Sequence, residues 1–190
     1  MFQQRVVPEM SKSAGFAGAI LSIDRASGKA ISATFWDSEE AMRASEQDSD
    51  ERRAQVAQAI GAKVLDVDRF EIVLPPSRPP AANVFVRMTD LPGSPDKIED
   101  TIRLVREEAT PLLQQQKGFR AVVMGANRQT GRMFVNTIWE TAADREASEA
   151  AVQSSRTRGA QVAGAQQASV ELYEVVYADV KMPAQTRAGA

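Results

Sequence analysis

Two stretches of this chain are spelled almost alike. Residues 28–46 read GKAISATFWDSEEAMRASE, and residues 131–149 read GRMFVNTIWETAADREASE. The likeness is one part of a longer register. Gly15 and Phe16 match Gly118 and Phe119, Arg25 matches Arg128, Thr34 matches Thr137, and Trp36 matches Trp139. Further on, Gly61-Ala62 match Gly164-Ala165, Phe70 falls on Tyr173, and Glu71 on Glu174. A single offset of 103 positions, the distance from Gly15 to Gly118, serves them all without a gap. A period this long, well beyond the ~20–50 residues of solenoid repeats, points to a duplicated domain. Whatever fold the chain adopts must therefore be built from one unit used twice.

The second copy is the more legible. Residues 83–89 (NVFVRMT) alternate apolar and polar, as a strand does. Leu91-Pro92-Gly93 form a turn, and Ser94-Pro95 place a capping residue and a proline at the start of a helix. Ile98, Ile102, Val105, Ala109 and Leu112 then recur at spacings of three and four, one apolar stripe on a helix that Pro111 kinks and Gly118 ends. Residues 119–126 are predicted to be a strand, 127–131 (NRQTG) a turn, and 132–139 the returning strand of a hairpin. Thr141 caps a helix with Asp144 as its capping-box partner, a short helix is expected over residues 158–164, and a last strand over 168–178. The order β-α-β-β-α-β is the ferredoxin-like split unit, so the fold class is α+β, with two such units in tandem.

In that unit the first strand is central, in spatial order 4-1-3-2. The first copy starts late: Pro8 matches Pro111, so its own first strand and most of its first helix have no counterpart after Met1. Unpaired backbone groups in a buried sheet are costly. Either the true start lies upstream, which is the favoured expectation, or another segment or chain fills the gap. The expected organisation is residues 1–74 as a first unit lacking its first strand, 75–82 (PPSRPPAA) as a stiff linker, 83–180 as a complete second unit, and 181–190 as a frayed tail.

Composition narrows the chemistry. The 190 residues contain no Cys, which rules out disulfides and thiolate nucleophiles, and no His, which removes the usual general base and haem ligand. A net charge of −2 gives no electrostatic drive toward nucleic acid or anionic membrane. No apolar run approaches the ~18 residues of a membrane span, and the first ten residues lack a signal-peptide pattern. A cytoplasmic protein is expected.

The carrying residues Pro8 and Pro111, Gly15-Phe16 and Gly118-Phe119, TFWDSEEAMRAS and TIWETAADREAS resemble the antibiotic biosynthesis monooxygenase family of the dimeric α+β barrel group. The resemblance implies that two units pair their sheets into a barrel. A tandem chain would supply both as an intrachain pseudo-dimer, with a further homodimer possible in principle. It also implies a small aromatic or apolar substrate and, for some members, oxygenation without a cofactor. The haem-degrading members line their pocket with a Trp, matched by Trp36 and Trp139, and carry a His on the following helix; the nearby positions here read Ser45 and Ser148. No cofactor and no metal are therefore expected.

The candidate substrate-binding residues are Trp36 and Trp139 with Thr34 and Thr137, which alternation places on the same sheet face as each Trp. Large aromatics of this kind also anchor cores, and that reading stands beside the first. The candidate catalytic residues are Asn136, an amide able to orient a carbonyl or peroxide, and Tyr173, a phenol able to move a proton, expected to share a face with Tyr177. Arg25, Arg128, Glu71 and Glu174 read as structural ion pairs or solvated turn residues. The two function classes left open are a cofactor-independent monooxygenase and a noncatalytic ligand-binding or structural barrel.

Overall fold

The computed structural model describes residues 2–46, 49–59 and 61–181. The expected tail, residues 182–190, lies outside the described residues. Among the described residues, seven strands form one antiparallel sheet: β1 Phe16–Ile23, β2 Ala30–Trp36, β3 Glu71–Leu74, β4 Val84–Pro92, β5 Phe119–Ala126, β6 Arg132–Trp139 and β7 Ser169–Val180. Their spatial order is β2-β1-β7-β4-β6-β5-β3. Within residues 84–180 this gives β7-β4-β6-β5, the fourth-first-third-second order expected of the split unit.

Strand joins connect the two halves of the chain reciprocally. β1 pairs with β7, and β3 pairs with β5. The charged turn residues follow the same exchange. Arg25 Nε donates to Glu174 at 2.7 Å, and Arg128 Nε donates to Glu71 at 2.5 Å. Each arginine thus reaches the glutamate on the last strand of the other half, where it forms an exposed ion pair of little energetic weight.

Helices cover one face of the sheet. α1 spans residues 2–10, as a π turn Phe2–Val6 followed by Val7–Met10. α2 is Glu39–Ser45 and α3 is Ser49–Ala59. α4 runs over residues 95–114: a 3-10 turn Pro95–Lys97, α-helix Ile98–Leu104, a π turn Val105–Ala109, then Thr110–Gln114. α5 is Ala142–Ala147 and α6 is Glu149–Ala163. The helix accommodates Pro111 by widening into a π turn just before it, because proline has no N–H to give and its ring crowds the carbonyl four residues back. Thr110 Oγ1 donates to the Val105 carbonyl at 2.7 Å within that turn. The π turn Phe2–Val6 stands in the same place before Pro8.

Two boundaries differ from expectation. α6 begins at Glu149, well ahead of residue 158, because Val152, Gly159, Ala160 and Ala163 make a buried small-residue stripe against α4; Gly164 closes it in the left-handed conformation at φ 71°. β4 continues through Leu91 and Pro92, which pair with Met133 and Arg132, so the predicted turn starts later. The Thr141 cap is present: its Oγ1 accepts from the Asp144 N–H at 3.0 Å and donates to the Asp144 carboxylate at 2.6 Å.

The core divides by sheet face. On the helix-covered face, Leu91, Val122, Met124 and Met133 pack with Ile98, Ile102, Leu104 and Ala163. On the opposite, inner face, Val84, Val86, Tyr173 and Val175 pack with Ile20, Ile31, Met88, Ile138 and Ala178, side chains from five strands and from no helix. Such a cluster forms because the antiparallel sheet curls and folds its inner face onto itself. Gly125 belongs to this face: Phe134 lies directly over its Cα, where any side chain would collide, and Phe70 meets Phe134 edge-on at 5.0 Å.

Candidate functional site

The Trp and Thr residues form one recurring arrangement on the helix-covered face. Trp139 Nε1 donates to Thr137 Oγ1 at 3.0 Å, and Trp36 Nε1 donates to Thr34 Oγ1 at 3.2 Å. Each indole also meets a Phe edge-on, Phe119 at 5.6 Å and Phe16 at 5.4 Å. Their surroundings differ. Trp139 is fully buried among Leu113, Val152, Phe85 and Phe119, with the Arg87 guanidinium 5.8 Å from its ring. Trp36 is half-buried and Thr34 exposed: among the described residues β2 is an end strand, with no neighbour where β4 flanks β6 beside Trp139.

Arg87 is a buried cation that sequence reasoning passed over. It donates to Ser148 Oγ at 2.9 Å and to the Arg145 carbonyl, and pairs with Glu149 at 3.1 Å. Burial pulls its pKa down, and Glu149 opposes the shift. Ser148 is thus an acceptor for Arg87 and is itself buried.

Asn136 and Tyr173 lie on the other face of the sheet, away from Trp139 and Thr137. Asn136 pairs with Met88 on β4, and Met88 pairs on its far side with Glu171 on β7. The three side chains therefore lie abreast on the inner face, Asn136 and Glu171 about 10 Å apart by two strand spacings. Tyr173, one step along β7, donates its hydroxyl to Glu171 Oε2 at 2.7 Å. Lys29, from the turn between β1 and β2, holds Glu171 Oε1 at 2.5 Å. The Asn136 Oδ1 atom is buried and has no hydrogen-bond partner. A buried acceptor left unmatched costs about 1–3 kcal/mol, so it is a feature that requires a reason.

The electrostatics are one-sided. The Lys29 ammonium, and then the Tyr173 hydroxyl, hold the Glu171 carboxyl below the usual carboxylate range. Burial, and then the bond to Glu171, push the Tyr173 phenol above its ordinary value. At neutral pH the group offers an ionised carboxylate, a neutral phenol and an open amide oxygen. Glu171 and Lys29 escaped the sequence reading, although Glu171 stands two residues before Tyr173 and so shares its face.

Tyr177 does not join Tyr173. A bulge in the β1–β7 pairing, between Leu21–Tyr177 and Ser22–Val175, inserts Val176 and reverses the alternation. Ala178 takes the inner position and Tyr177 turns outward to meet Phe2 edge-on at 5.6 Å. Asn83 is exposed at φ 60°, just ahead of β4.

Two concavities, of about 270 and 470 Å³, lie elsewhere: one between α4 and α6 beside Arg103 and Arg158, the other beside Ala41 and Ser45 of α2. Neither is lined by Trp36, Trp139, Asn136 or Tyr173. Among the described residues, no group of three or more acidic side chains is placed to hold a metal ion, and no helix is long and apolar enough to cross a membrane.

The class of protein this sheet defines is a mixed α+β fold with a curled antiparallel sheet, which has ferredoxin-fold neighbours among solved structures. No protein-family profile matches the chain. Among solved structures it is similar to an anthrone oxidase-like protein (TM-score 0.65, 15% identity, 94% of this chain and 86% of the other). It is similar also to the monooxygenase candidate FN1347 of Fusobacterium nucleatum (TM-score 0.63, 12% identity, 94% and 85%). A third is an uncharacterized Listeria monocytogenes ferredoxin-fold protein related to antibiotic biosynthesis monooxygenases (TM-score 0.53, 8% identity, 90% and 86%). At these identities the likeness concerns the fold. In sequence the chain is similar to the uncharacterized protein Rv2557 of Mycobacterium tuberculosis, 25% identical over 137 residues, 72% of this chain and 61% of the relative. The uncharacterized protein Rv2558 of the same organism is 34% identical over 80 residues, 42% of this chain and 34% of the relative. The match thus spans about three-fifths of the length of Rv2557 and about one-third of that of Rv2558.

Proposed function

We propose that this chain is a tandem pseudo-dimer of two ferredoxin-like units and a cofactor-independent monooxygenase-like protein, binding a small hydroxylated aromatic on the inner face of its sheet. The reciprocal joins β1–β7 and β3–β5, with the exchanged pairs Arg25–Glu174 and Arg128–Glu71, support the tandem reading. The observation that carries the site is the unpartnered Asn136 Oδ1, abreast of Met88 and Glu171. The 10 Å or so between Asn136 and Glu171 matches the length of a fused aromatic molecule, and Met88 supplies an apolar floor. The likeness to an anthrone oxidase-like protein agrees with this class of substrate.

In this reading the Glu171 carboxylate takes a proton from the activated carbon or hydroxyl of the substrate; the Tyr173 O–H, released from the neutralised Glu171, turns to stabilise the anion by hydrogen bonding. Asn136 orients a substrate hydroxyl. The electron-rich anion then reduces O₂; a CH₂ carbon becomes C=O, and the second oxygen atom leaves as water. In this reading the electrons come from the substrate itself. Trp36, Trp139, Thr34 and Thr137 act on the site only through the shape of the sheet they anchor.

A noncatalytic barrel is the second reading, and a specific observation favours it: Val84, Val86, Tyr173 and Val175 fill the inner face by packing against one another. Oxygen uptake with a panel of hydroxylated polycyclic aromatics separates the two. The monooxygenase reading expects uptake that falls at least about ten-fold in Asn136→Ala and in Glu171→Gln, a loss of about 1.4 kcal/mol or more in the transition state. Calorimetric binding without uptake would support the second reading. Neither binding nor uptake across the panel would sink the inner-face site.

A further inference from the structure

The inner face is filled at one end and open at the other. Val84, Val86, Tyr173 and Val175 are buried against one another. Met88, Val123, Phe134, Asn136 and Glu171, toward the other end, keep part of their surface exposed. Val123 pairs with Asn136 across β5 and β6 and so shares its face. A segment from the first half of the chain comes down on this open end. Residues 62–70 have neither helix nor strand, and all but Phe70 are exposed.

Three tethers hold the segment down. Arg132 Nη1 donates to Asp68 Oδ2 at 2.5 Å and to Asp66 Oδ2 at 3.3 Å, while its Nε donates to Asp90 on β4 at 3.0 Å. Phe70 rests edge-on against Phe134. Arg69 Nε donates to Glu46 Oε1, just past α2, at 2.5 Å. Arg132 and Phe134 alternate with Asn136 on one face of β6, so the segment touches down about 7 Å from Asn136. By the offset of 103, Asp68 and Arg132 are the counterparts of Glu171 and Lys29, the pair that borders the same face at β7. Glu171 is fixed in a strand and Asp68 is not. Exposed ion pairs contribute little to stability, and none of residues 62–69 is buried, so the segment can part from the sheet without unfolding it.

We infer that residues 62–70 are a strap over the open end of the inner face, clasped by Arg132, and that release of the clasp gates the passage of small molecules to Asn136 and Glu171. Asp90 keeps the guanidinium in place on the sheet, so opening breaks its bonds to Asp66 and Asp68 and leaves β4 and β6 joined. The ligand class is that of the inner-face reading above, on which this inference rests. A flat hydroxylated aromatic would enter where Phe70 and Phe134 already present aromatic surface.

The chain has no Cys, so a single introduced thiol reports access. In a Val123→Cys chain, alkylation by iodoacetamide reads the open end; in a Ser154→Cys chain it reads an exposed position on α6. Adding Asp66→Asn/Asp68→Asn should speed labelling at position 123 at least about three-fold and leave position 154 unchanged. Salt at about 1 M should speed labelling at position 123 in the clasped chain and have little effect once both Asp are replaced. Amide exchange along Phe119–Ala126 should be the same with and without the two Asp, which separates strap opening from unfolding. Equal labelling in the two chains, or β5 exchange that rises in step with labelling, overturns the strap. Oxygen uptake from hydroxylated aromatics judges the substrate reading apart from it. Gated labelling without uptake removes that reading and keeps the strap; uptake with ungated labelling does the reverse.

Discussion

Replacing Trp139 by Ala should be among the most damaging single changes in this protein, and replacing Trp36 by Ala should not. The two residues correspond in sequence and make the same bond to a Thr two positions back. Trp139 is 0% exposed and enclosed by Phe85, Leu113, Phe119 and Val152, so truncation leaves a cavity that its neighbours cannot close. Large-to-small changes of this kind cost about 3–5 kcal/mol. That is a large part of the ~5–15 kcal/mol that holds a typical domain together. Trp36 is half-buried, with Phe16 as its ring partner, and its truncation should cost about 1–2 kcal/mol by lost apolar area. Urea denaturation followed by far-ultraviolet circular dichroism measures both, and Trp139→Phe, losing the bond to Thr137, should fall between them. Equal costs for the two alanine variants would refute the reasoning. Trp139 would then border space rather than fill it, and a pocket beside it would become the better account.

Other outcomes follow from the same geometry. Arg87→Met should destabilise by about 1–3 kcal/mol in urea titrations, because it strands the Arg145 carbonyl and Ser148; half-exposed Glu149 can rehydrate and limits the loss. The Glu171 carboxyl is depressed below its usual 4.5 by Lys29, so its contribution to stability is complete above that pH and lost as pH falls through the depressed value. Glu171→Gln should therefore flatten the acid limb of the stability profile below about pH 4.5 and leave its neutral region nearly level, as read by urea midpoints across the range. Gly125→Ala should displace Phe134 from the inner face and disturb its contact with Phe70, detectable as a lowered melting temperature and altered near-ultraviolet circular dichroism.

Local regularities carried far in this chain. The strand order within residues 84–180, the Thr141 cap, the turn at residues 127–131 and the Trp–Thr face all depend on periodicity or on contacts between near neighbours, which a sequence displays directly. The start of α6 was missed because its stripe is made of Val, Gly and Ala, too small to read as apolar periodicity without α4 beside it. The shared face expected for Tyr173 and Tyr177 failed at a bulge, where one extra residue reverses every later side chain.

The sequence by itself determined the β-α-β-β-α-β order of residues 84–180, and that any side-chain chemistry must proceed without His or Cys. Only the tertiary structure decided which candidates can meet. Sheet pairing puts Asn136, Glu171 and Tyr173 on the inner face and Trp139 and Thr137 on the helix-covered face, although all five lie on two strands. The reason is that alternation says which residues of one strand share a side, while register across strands, set by pairing between distant segments and by a single bulge, says which residues of different strands stand together.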